Sequence, residues 1–419
     1  MNTRSVSLFE MAAALSSVID MISTELQGHH KRVAYISANM SRIMNLDIKK
    51  RNDVLLAGLL HDCGALSLKE KLGALRFDAD NPHNHAVIVY KLLKDFSHFK
   101  DIAQIIRCHH TYWNRTDVCR CNSVEVPWGS HIIHIADRVD VLIDRKKDIL
   151  PQAEEIRRRI SDESGKMFAP ELVDVFIELS KNSDFWNTLS NVREEDLQCS
   201  CFRDMELDFN EILGMVKLIE RIIDFRSRFT ASHSRGVAAV GRELAAIMNL
   251  PESEVDSIMV AGYVHDIGKL AIPIELLEKK ERLTPEEFEI IRRHSVYSYN
   301  TLNKIKGFDT ISKYASFHHE RLDGRGYPFK LKADEIPMGS RIIGVADIFT
   351  AITEDRPYRK GMGGEEAMRV LKRMADKFEV DPIIVSKLEE NYEIINSIRH
   401  EAQITAIKEY ESFMLPYQP

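Results

Sequence analysis

Apolar residues recur along this chain at spacings of three and four, as expected for helices that bury one face. The pattern is clearest over residues 33–44, 52–61, 101–109, 237–248, 252–265 and 285–302. The last segment follows Thr284 and begins Pro285-Glu286-Glu287, the composition of a capped helix start. No series of alternating β-branched strands is visible, so the pattern predicts an all-α fold.

Histidine and aspartate occur in the same order in both halves of the chain, which predicts two tandem copies of one multi-helix domain. The C-terminal set is His233, His265-Asp266, His294, His318-His319 and Asp347. The N-terminal set is His29, His61-Asp62, His85, His109-His110 and Asp137. The first histidine precedes the His-Asp pair by 32 residues in both sets, and the third histidine precedes the His-His pair by 24 in both. We place the domains at residues 1–195 and 205–419, joined by a helical linker.

Size and composition fit an ordinary globular protein with more than one domain. The chain has 419 residues and a formal net charge of −7, which argues against a protein that coats a nucleic acid polymer. It has neither an apolar run of the roughly 20 residues that span a membrane nor a secretory signal at its N-terminus. We therefore expect a cytoplasmic protein without a membrane partner, whose six cysteines are reduced thiols.

The repeated side chains are suited to metal ions. Adjacent histidine and aspartate at the end of an apolar helix are costly to bury unless they bind something. Imidazole and carboxylate together favour iron or manganese and also accept zinc, cobalt or nickel. Two such ions are a common means of activating water against a phosphate ester, and Asp266 is the predicted bridge between them. A single histidine on an apolar helix could be a core residue, but the duplicated set is not explained in that way.

Several polar residues near the C-terminal set could contact a phosphate substrate. Lys269 shares a face with His265 if the helix continues through Gly268, and it could bind the phosphate or protonate the leaving oxygen. The first copy has Ala65 at that position. A glycine-rich turn that lets a substrate approach closely follows the His-His pair, and further on lie two arginines. These substrate-binding candidates are Asp323, Arg325, Gly326, Tyr327, Arg356 and Arg359. The alternative for each is a solvated surface or a loop that only shapes the rim.

The C-terminal motifs resemble those of the HD-GYP family of HD-domain phosphohydrolases. The resemblance rests on His265-Asp266-Ile-Gly-Lys269, on His318-His319-Glu320-x-x-Asp323-Gly-x-Gly326-Tyr327-Pro328, and on Asp355-Arg356-Pro357-Tyr358-Arg359. It implies an all-helical domain with two iron or manganese ions that hydrolyses cyclic dinucleotides, typically cyclic di-GMP, to a linear 5′-phosphorylated product. The implied metal ligands are His233, His265, Asp266, His294, His318, His319 and Asp347, with Asp266 and Lys269 catalytic.

The chain departs from the family pattern at three places. Phe229 replaces a glutamate that binds a third metal in some members, so two metals are expected. Thr350 stands where the family commonly has aspartate, and the first copy lacks the Gly-Tyr-Pro turn.

The tandem arrangement is similar to double-HD proteins that degrade cyclic GMP–AMP and trim the linear product. The first copy is therefore either a second, nucleotidase site or a structural or sensory remnant, with or without bound metal. A non-hydrolysing receptor, another HD-type nucleotide phosphohydrolase and a homodimer also stay open.

Overall fold

The protein is almost entirely helical in a computed structural model that describes residues 6–21, 27–64, 83–115, 125–198, 205–226, 232–279, 281–355 and 360–414. Strand structure among these residues is limited to a short antiparallel pair, Val6–Ser7 with Glu206–Leu207, and one isolated bridge between Ser164 and Phe168. The predicted all-α class is confirmed. Within the described ranges, no helix has the length and apolarity needed to cross a membrane.

The chain divides into two compact units, one of Met11–Met205 and the other of Met1–Glu10 with Glu206–Pro419. The bounds predicted from the sequence, 1–195 and 205–419, differ from this division mainly in the first ten residues. Val6 pairs with Leu207 in the strand pair, and the Glu10 carboxylate accepts the Lys306 N–H at 2.8 Å. These contacts associate the start of the chain with the C-terminal unit.

Five helices carry the first copy of the motif in the N-terminal unit. They are His29–Ile43, Ile48–Leu60, His83–Leu93, Lys100–Arg107 and Trp128–Val141. The other helices among the described residues of the N-terminal half are Leu8–Asp20, Ala153–Asp162, Pro170–Ser180, Ser183–Ser190 and Glu194–Leu197, with 3₁₀ turns at Ser97–Phe99, Trp113–Arg115 and Leu150–Gln152. Phe176 and Trp186 are buried in the core of this unit, and the Trp186 indole N–H donates to the Ser180 carbonyl at 2.8 Å.

The C-terminal unit repeats the five helices in the same order. They are His233–Ile247, Glu252–Val264, Pro285–Leu302, Asp309–Ser316 and Met338–Thr353. Around them lie Phe209–Arg226, Ile274–Leu277, Gly364–Asp376, Pro382–Glu390 and Tyr392–Met414, with 3₁₀ turns at Ile267–Ala271 and Ala333–Glu335. The predicted start of the third helix is confirmed, because Thr284 and Glu287 form a reciprocal capping box.

A pair of small residues sets the crossing of the first two motif helices in each unit. A Cβ placed on Gly262 would lie 2.6 Å from the Ala238 Cα, and one on Gly58 would lie 2.7 Å from the Ala34 Cα. Only glycine permits such a close approach, which occurs one turn before the His-Asp pair. The crossing therefore brings the His-Asp pair next to the first histidine in both units.

The cysteines follow the prediction only in part. Cys63 is buried and forms no disulfide, whereas Cys108 is disulfide-bonded, so the prediction of six reduced thiols is wrong at Cys108. The other four, Cys119, Cys121, Cys199 and Cys201, lie outside the described residues.

Candidate metal centres

All seven candidate ligands of the C-terminal half lie in one cluster of three overlapping groups. These groups are His233, His265 and Asp347; His265, Asp266 and His318; and His294, His318 and His319. Within each group the candidate ligand atoms lie within 4.8 Å of one another. Because His265 and His318 each belong to two groups, the seven side chains form a single site.

Most of these side chains lie at or next to a helix end. His233 is the first residue of its helix, and His265-Asp266 directly follow Glu252–Val264. The His-His pair lies just beyond the end of Asp309–Ser316. Helix termini leave backbone groups without intrahelical partners, so the chain can turn there and direct adjacent side chains into the centre.

Backbone carbonyls orient three of the histidines. The Nδ1–H groups of His265, His294 and His318 donate to the carbonyls three residues earlier, at 2.8, 2.7 and 2.5 Å. In neutral imidazole this assignment leaves the lone pair on Nε2, the form that binds metal. The Nε2 atom of His318 is buried and has no hydrogen-bond partner among the described residues. A buried polar atom without a partner fits a site that holds a metal ion.

Burial keeps two histidines of the cluster, His294 and His319, neutral. It lowers the pKa of His294 to about 4 and that of His319 to about 3. Both are therefore unprotonated near neutral pH, as a metal ligand must be.

The Asp266 carboxylate faces two histidines and a lysine. Its Oδ2 lies 3.3 Å from His265 Nε2 and its Oδ1 lies 3.5 Å from His294 Nε2. The Lys269 Nζ lies 2.5 Å from Oδ2. Burial alone would raise the pKa of Asp266, but Lys269 and His265 hold it well below its usual range. A carboxylate whose two oxygens face different histidines has the arrangement that a bridge between two ions needs.

The route of the chain to Lys269 differs from the sequence expectation. The α-helix ends at Val264 with His265 as its C-cap, and Ile267–Ala271 forms a 3₁₀ turn instead of continuing the helix. A Cβ on Gly268 would lie 1.9 Å from the His294 carbonyl oxygen, so the turn packs directly on the helix of His294. Lys269 reaches Asp266 because of this turn and not through a shared helical face.

The loop after the His-His pair is held by the side chain of Glu320. The Glu320 carboxylate accepts the N–H groups of Phe329 at 2.6 Å and Leu331 at 3.0 Å. A Cβ on Gly326 would lie 2.4 Å from the Arg321 nitrogen, so only glycine fits. The loop places the Tyr327 ring 4.7 Å from the His319 ring, between centroids. Tyr327 thus lies at the edge of the metal cluster.

The structure describes only some of the other residues that were predicted to bind substrate. Asp323 accepts the Arg325 N–H and pairs with the Arg321 guanidinium, both at 2.9 Å, so it shapes the loop. Arg325 itself is exposed. Arg356 and Arg359 lie outside the described residues, as do Phe229 and Ala65. Substrate contacts by these residues stay predictions.

The N-terminal unit assembles its seven side chains in the same way. They form two groups, His29 with His61 and Asp137, and Asp62 with His85, His109 and His110. Asp62 Oδ1 lies 3.0 Å from His85 Nε2, and Asp62 Oδ2 lies 3.7 Å from His61 Nε2. The Nδ1–H groups of His61 and His109 again donate to carbonyls three residues earlier, at 2.9 and 2.6 Å.

Some residues of the sites were not found by sequence reasoning. Ser298 Oγ donates to the His265 carbonyl at 2.9 Å and accepts the Gly268 N–H at 3.0 Å, which fixes the turn. The Arg292 guanidinium lies 4.6 Å from the centre of the Tyr327 ring. The one available sequence signal was position, since Arg292 and Ser298 lie within four residues of His294.

Comparisons with known proteins agree with this geometry. HD domain models match residues 26–142 and 217–384. The 3′3′-cGAMP-specific phosphodiesterase 1 of Vibrio cholerae is 30% identical over 93% of this chain and 94% of that protein. The cyclic di-GMP phosphodiesterase of Thermotoga maritima is 34% identical over 48% of this chain and 53% of that protein.

A solved structure shows the same fold over nearly the whole chain. It is the crystal structure of a cyclic GMP-AMP specific phosphodiesterase of V. cholerae (V-cGAP3), with a TM-score of 0.64 and 22% identity. The match covers 93% of this chain and 98% of that one.

Two HD domains and their histidine–aspartate clusters define this protein as an HD-domain phosphohydrolase, a metal-dependent class of hydrolase. Within that class, the chain belongs to the HD-GYP family of cyclic dinucleotide phosphodiesterases, in a tandem HD arrangement.

Proposed function

We propose that the C-terminal unit opens 3′3′-cyclic GMP–AMP, or cyclic di-GMP, by hydrolysing one phosphodiester bond to give a linear 5′-phosphorylated dinucleotide. The observation that carries the proposal is the convergence of His233, His265, Asp266, His294, His318, His319 and Asp347 beside the Tyr327 loop. The extent of similarity supports cyclic GMP–AMP as the first substrate to test. The relative named for that dinucleotide aligns over 94% of its length.

The donor set fits two divalent ions, for which iron or manganese is the first choice. Such ions, when bound, supply Lewis-acid stabilisation of the phosphate and activation of water. His233, His265 and Asp347 would hold one ion, and His294, His318 and His319 the other. Asp266 would face both, because its two oxygens lie toward different histidines.

Lys269 is the residue best placed to handle a proton at the leaving oxygen. Its Nζ lies beside Asp266 and its side chain is about one-quarter exposed, so it can be reached from solvent. A cation at this position binds the phosphate oxygens in the ground state and can protonate the departing 3′-oxygen.

Tyr327 is placed to orient the substrate. Its ring lies 4.7 Å from the His319 ring and 4.6 Å from the Arg292 guanidinium, at the edge of the cluster. Stacking on a purine would hold the phosphodiester over the cluster.

The N-terminal unit supports a second, consecutive reaction. Its cluster contains every side chain that the C-terminal cluster has, in the same order and at comparable separations. We propose that it removes the 5′-phosphate from the linear product. The alternative, a metal-holding remnant, predicts that the linear dinucleotide is the end product.

The test incubates purified protein with Mn²⁺ or Fe²⁺ and each cyclic dinucleotide, and it separates products by anion exchange. Wild type should give the linear dinucleotide and then a species that lacks the 5′-phosphate. His61→Ala combined with Asp62→Ala should stop at the linear dinucleotide. If wild type and this variant give the same product, the second reaction is wrong. If wild type binds the cyclic dinucleotide in equilibrium dialysis without consuming it, the protein is a receptor.

The predicted cytoplasmic location and homodimer remain predictions from the sequence.

A further inference from the structure

The first histidine of each copy is held by a carboxylate on its Nδ1 side, but the two copies place that carboxylate at different helix positions. His29 Nδ1 donates to Asp140 Oδ2 at 2.7 Å, and His233 Nδ1 donates to Glu354 Oε2 at 3.2 Å. We infer that Glu354 is a positioning residue that replaces, one helical turn further on, the carboxylate that Asp140 supplies in the first copy. The inference rests on the metal site proposed above.

The register between the copies is fixed by structure. The helix Trp128–Val141 corresponds to Met338–Thr353, since both follow a proline N-cap and both carry the aspartate of the cluster. Asp137 and Asp347 occupy the tenth position of these helices. Asp140 therefore corresponds to Thr350, and Glu354 comes four residues later.

A second replacement accompanies the first. The close contacts of Gly58 with Ala34 and of Gly262 with Ala238 align Arg32 with Gly236. In the first copy the Arg32 guanidinium donates to Asp140, with Nη2 at 3.2 Å from Oδ2. The second copy has neither charge there.

The Gly236 position shows that the arginine of the first copy has no counterpart in the second. A Cβ on Gly236 would lie 2.9 Å from the Thr350 Cγ2 and 3.2 Å from the Gln403 side chain, so no arginine fits at this position. The buried Thr350 Oγ1 has no hydrogen-bond partner among the described residues, and so it does not hold His233. The second copy therefore lacks both the aspartate and its arginine.

The Glu354 carboxylate is itself fixed by the last helix. Gln403 Nε2 donates to Glu354 Oε2 at 3.1 Å, and Gln403 Oε1 accepts the Arg399 guanidinium. Both residues belong to Tyr392–Met414, beyond residue 384 where the HD domain match ends. With Nδ1 held in this way, His233 directs Nε2 at Asp347 Oδ1, 2.9 Å away. A carboxylate behind a ligating histidine fixes its tautomer and raises its basicity.

The experiment titrates metal-free full-length protein with Mn²⁺, and it measures free Mn²⁺ by electron paramagnetic resonance. Glu354→Ala should weaken the C-terminal site by about 10- to 100-fold, the usual effect of losing such a partner. Combining Glu354→Ala with Thr350→Asp places a carboxylate at the position that Asp140 has in the first copy, without its arginine, and should recover roughly tenfold of that loss. Glu401→Ala, an exposed change on the same last helix, is the matched control and should bind Mn²⁺ as wild type does.

Circular dichroism and ¹⁵N shifts of the His233 ring separate positioning from unfolding. Glu354→Ala should keep the helical spectrum while the Nδ1–H population of His233 falls. If Glu354→Ala does not fold, Glu354→Gln is used instead, since it keeps an accepting oxygen and should bind Mn²⁺ more weakly than wild type. Mn²⁺ affinity within twofold of wild type in the folded glutamate variant, or no recovery on adding Thr350→Asp, would overturn the inference. Failure of wild type itself to bind Mn²⁺ would instead refute the proposed metal site.

Discussion

The two copies of the motif share their inner ligands and differ in the residues around them. Each cluster contains an aspartate between histidines whose Nδ1 atoms bind backbone carbonyls. Around Asp137, however, the N-terminal copy adds a buried cation, since Arg138 Nη2 donates to the Asp137 Oδ2 at 2.6 Å. The C-terminal copy has Ile348 at that position. One oxygen of the N-terminal aspartate is therefore already engaged by a cation that would compete with a metal ion.

The space next to the clusters differs as well. Gly344 in the C-terminal copy corresponds to His134 in the N-terminal copy, where the imidazole lies 5.9 Å from the His110 ring. The Trp113 ring, three residues after the His-His pair, lies 5.2 Å from the His131 ring, whereas the C-terminal copy continues from its His-His pair into the Tyr327 loop. Both copies thus form the ligand cluster, and they differ in the side chains that lie beside it.

Replacing the aspartate of the His-Asp pair by alanine should give the largest difference in activity between the two copies. Asp266→Ala removes a ligand that faces two histidines, and we expect ring opening to fall on the order of 10³-fold or more. Asp62→Ala should leave ring opening within about twofold, since it lies in the other unit. Initial rates with cyclic GMP–AMP and metal content per chain measure both. Normal metal content and normal turnover in Asp266→Ala would refute the assignment.

Lys269 should affect turnover without affecting the metals. Lys269→Ala removes the cation beside Asp266, and we expect kcat to fall on the order of 10²-fold, the range of positioned proton transfer. Metal content should stay at the wild-type level, because lysine is not a ligand in this site. Lys387→Ala serves as the control, because Lys387 forms an exposed ion pair with Glu390. A matching loss in both variants would show that Lys269 has no special role.

The stability of metal-free protein should depend on pH on both sides of neutrality. Burial lowers the pKa of His61 and His294 to about 4, so the unfolded state binds more protons below pH 6.5 and stability falls between pH 6.5 and 4. Each such histidine removes up to roughly 1.4 kcal/mol per pH unit in that window. Burial alone would lower the pKa of His233, but Glu354 and Asp347 raise it to about 10. The protonated His233 therefore stabilises the fold below pH 6.5, and this stabilisation is lost as pH rises from 6.5 toward 10.

Urea unfolding between pH 4 and 10 checks this dependence on metal-free protein. With saturating Mn²⁺, the free energy of unfolding should fall more steeply as pH is lowered, since protons and metal compete for the same nitrogens. A free energy of unfolding that is flat from pH 6.5 to 4 would mean that these histidines are not buried neutral.

Gly326→Ala should give the smallest effect and should act on substrate binding. The added methyl would lie 2.4 Å from the Arg321 nitrogen, so the loop must shift and carry Tyr327 away from His319. We expect roughly a tenfold rise in KM and a loss of about 1–3 kcal/mol in the free energy of unfolding, as overpacking produces. Gly363→Ala, where an added methyl meets nothing within 4 Å, is the control. An unchanged KM would show that the loop does not orient substrate.

Much of this arrangement was predictable because it depends on local sequence. Helical periodicity gave the all-α class, and repeated spacing gave the positions of His61 and His265 in the two clusters. The prediction failed where packing decides the backbone, as at Lys269, which a 3₁₀ turn and not a continuous helix brings to Asp266. It also missed Glu354 and Gln403, since a carboxylate four residues from its expected position is recognised only when the distant helix that holds it is known.

The most direct test of the account is anomalous diffraction at the manganese edge from crystals of the full chain grown with Mn²⁺. We predict two peaks in the C-terminal cluster, about 3.5–4 Å apart as in two-metal sites, on either side of Asp266 and absent in Asp266→Ala. Manganese bound only elsewhere in the chain, or no peak between His265 and His294, would contradict the account.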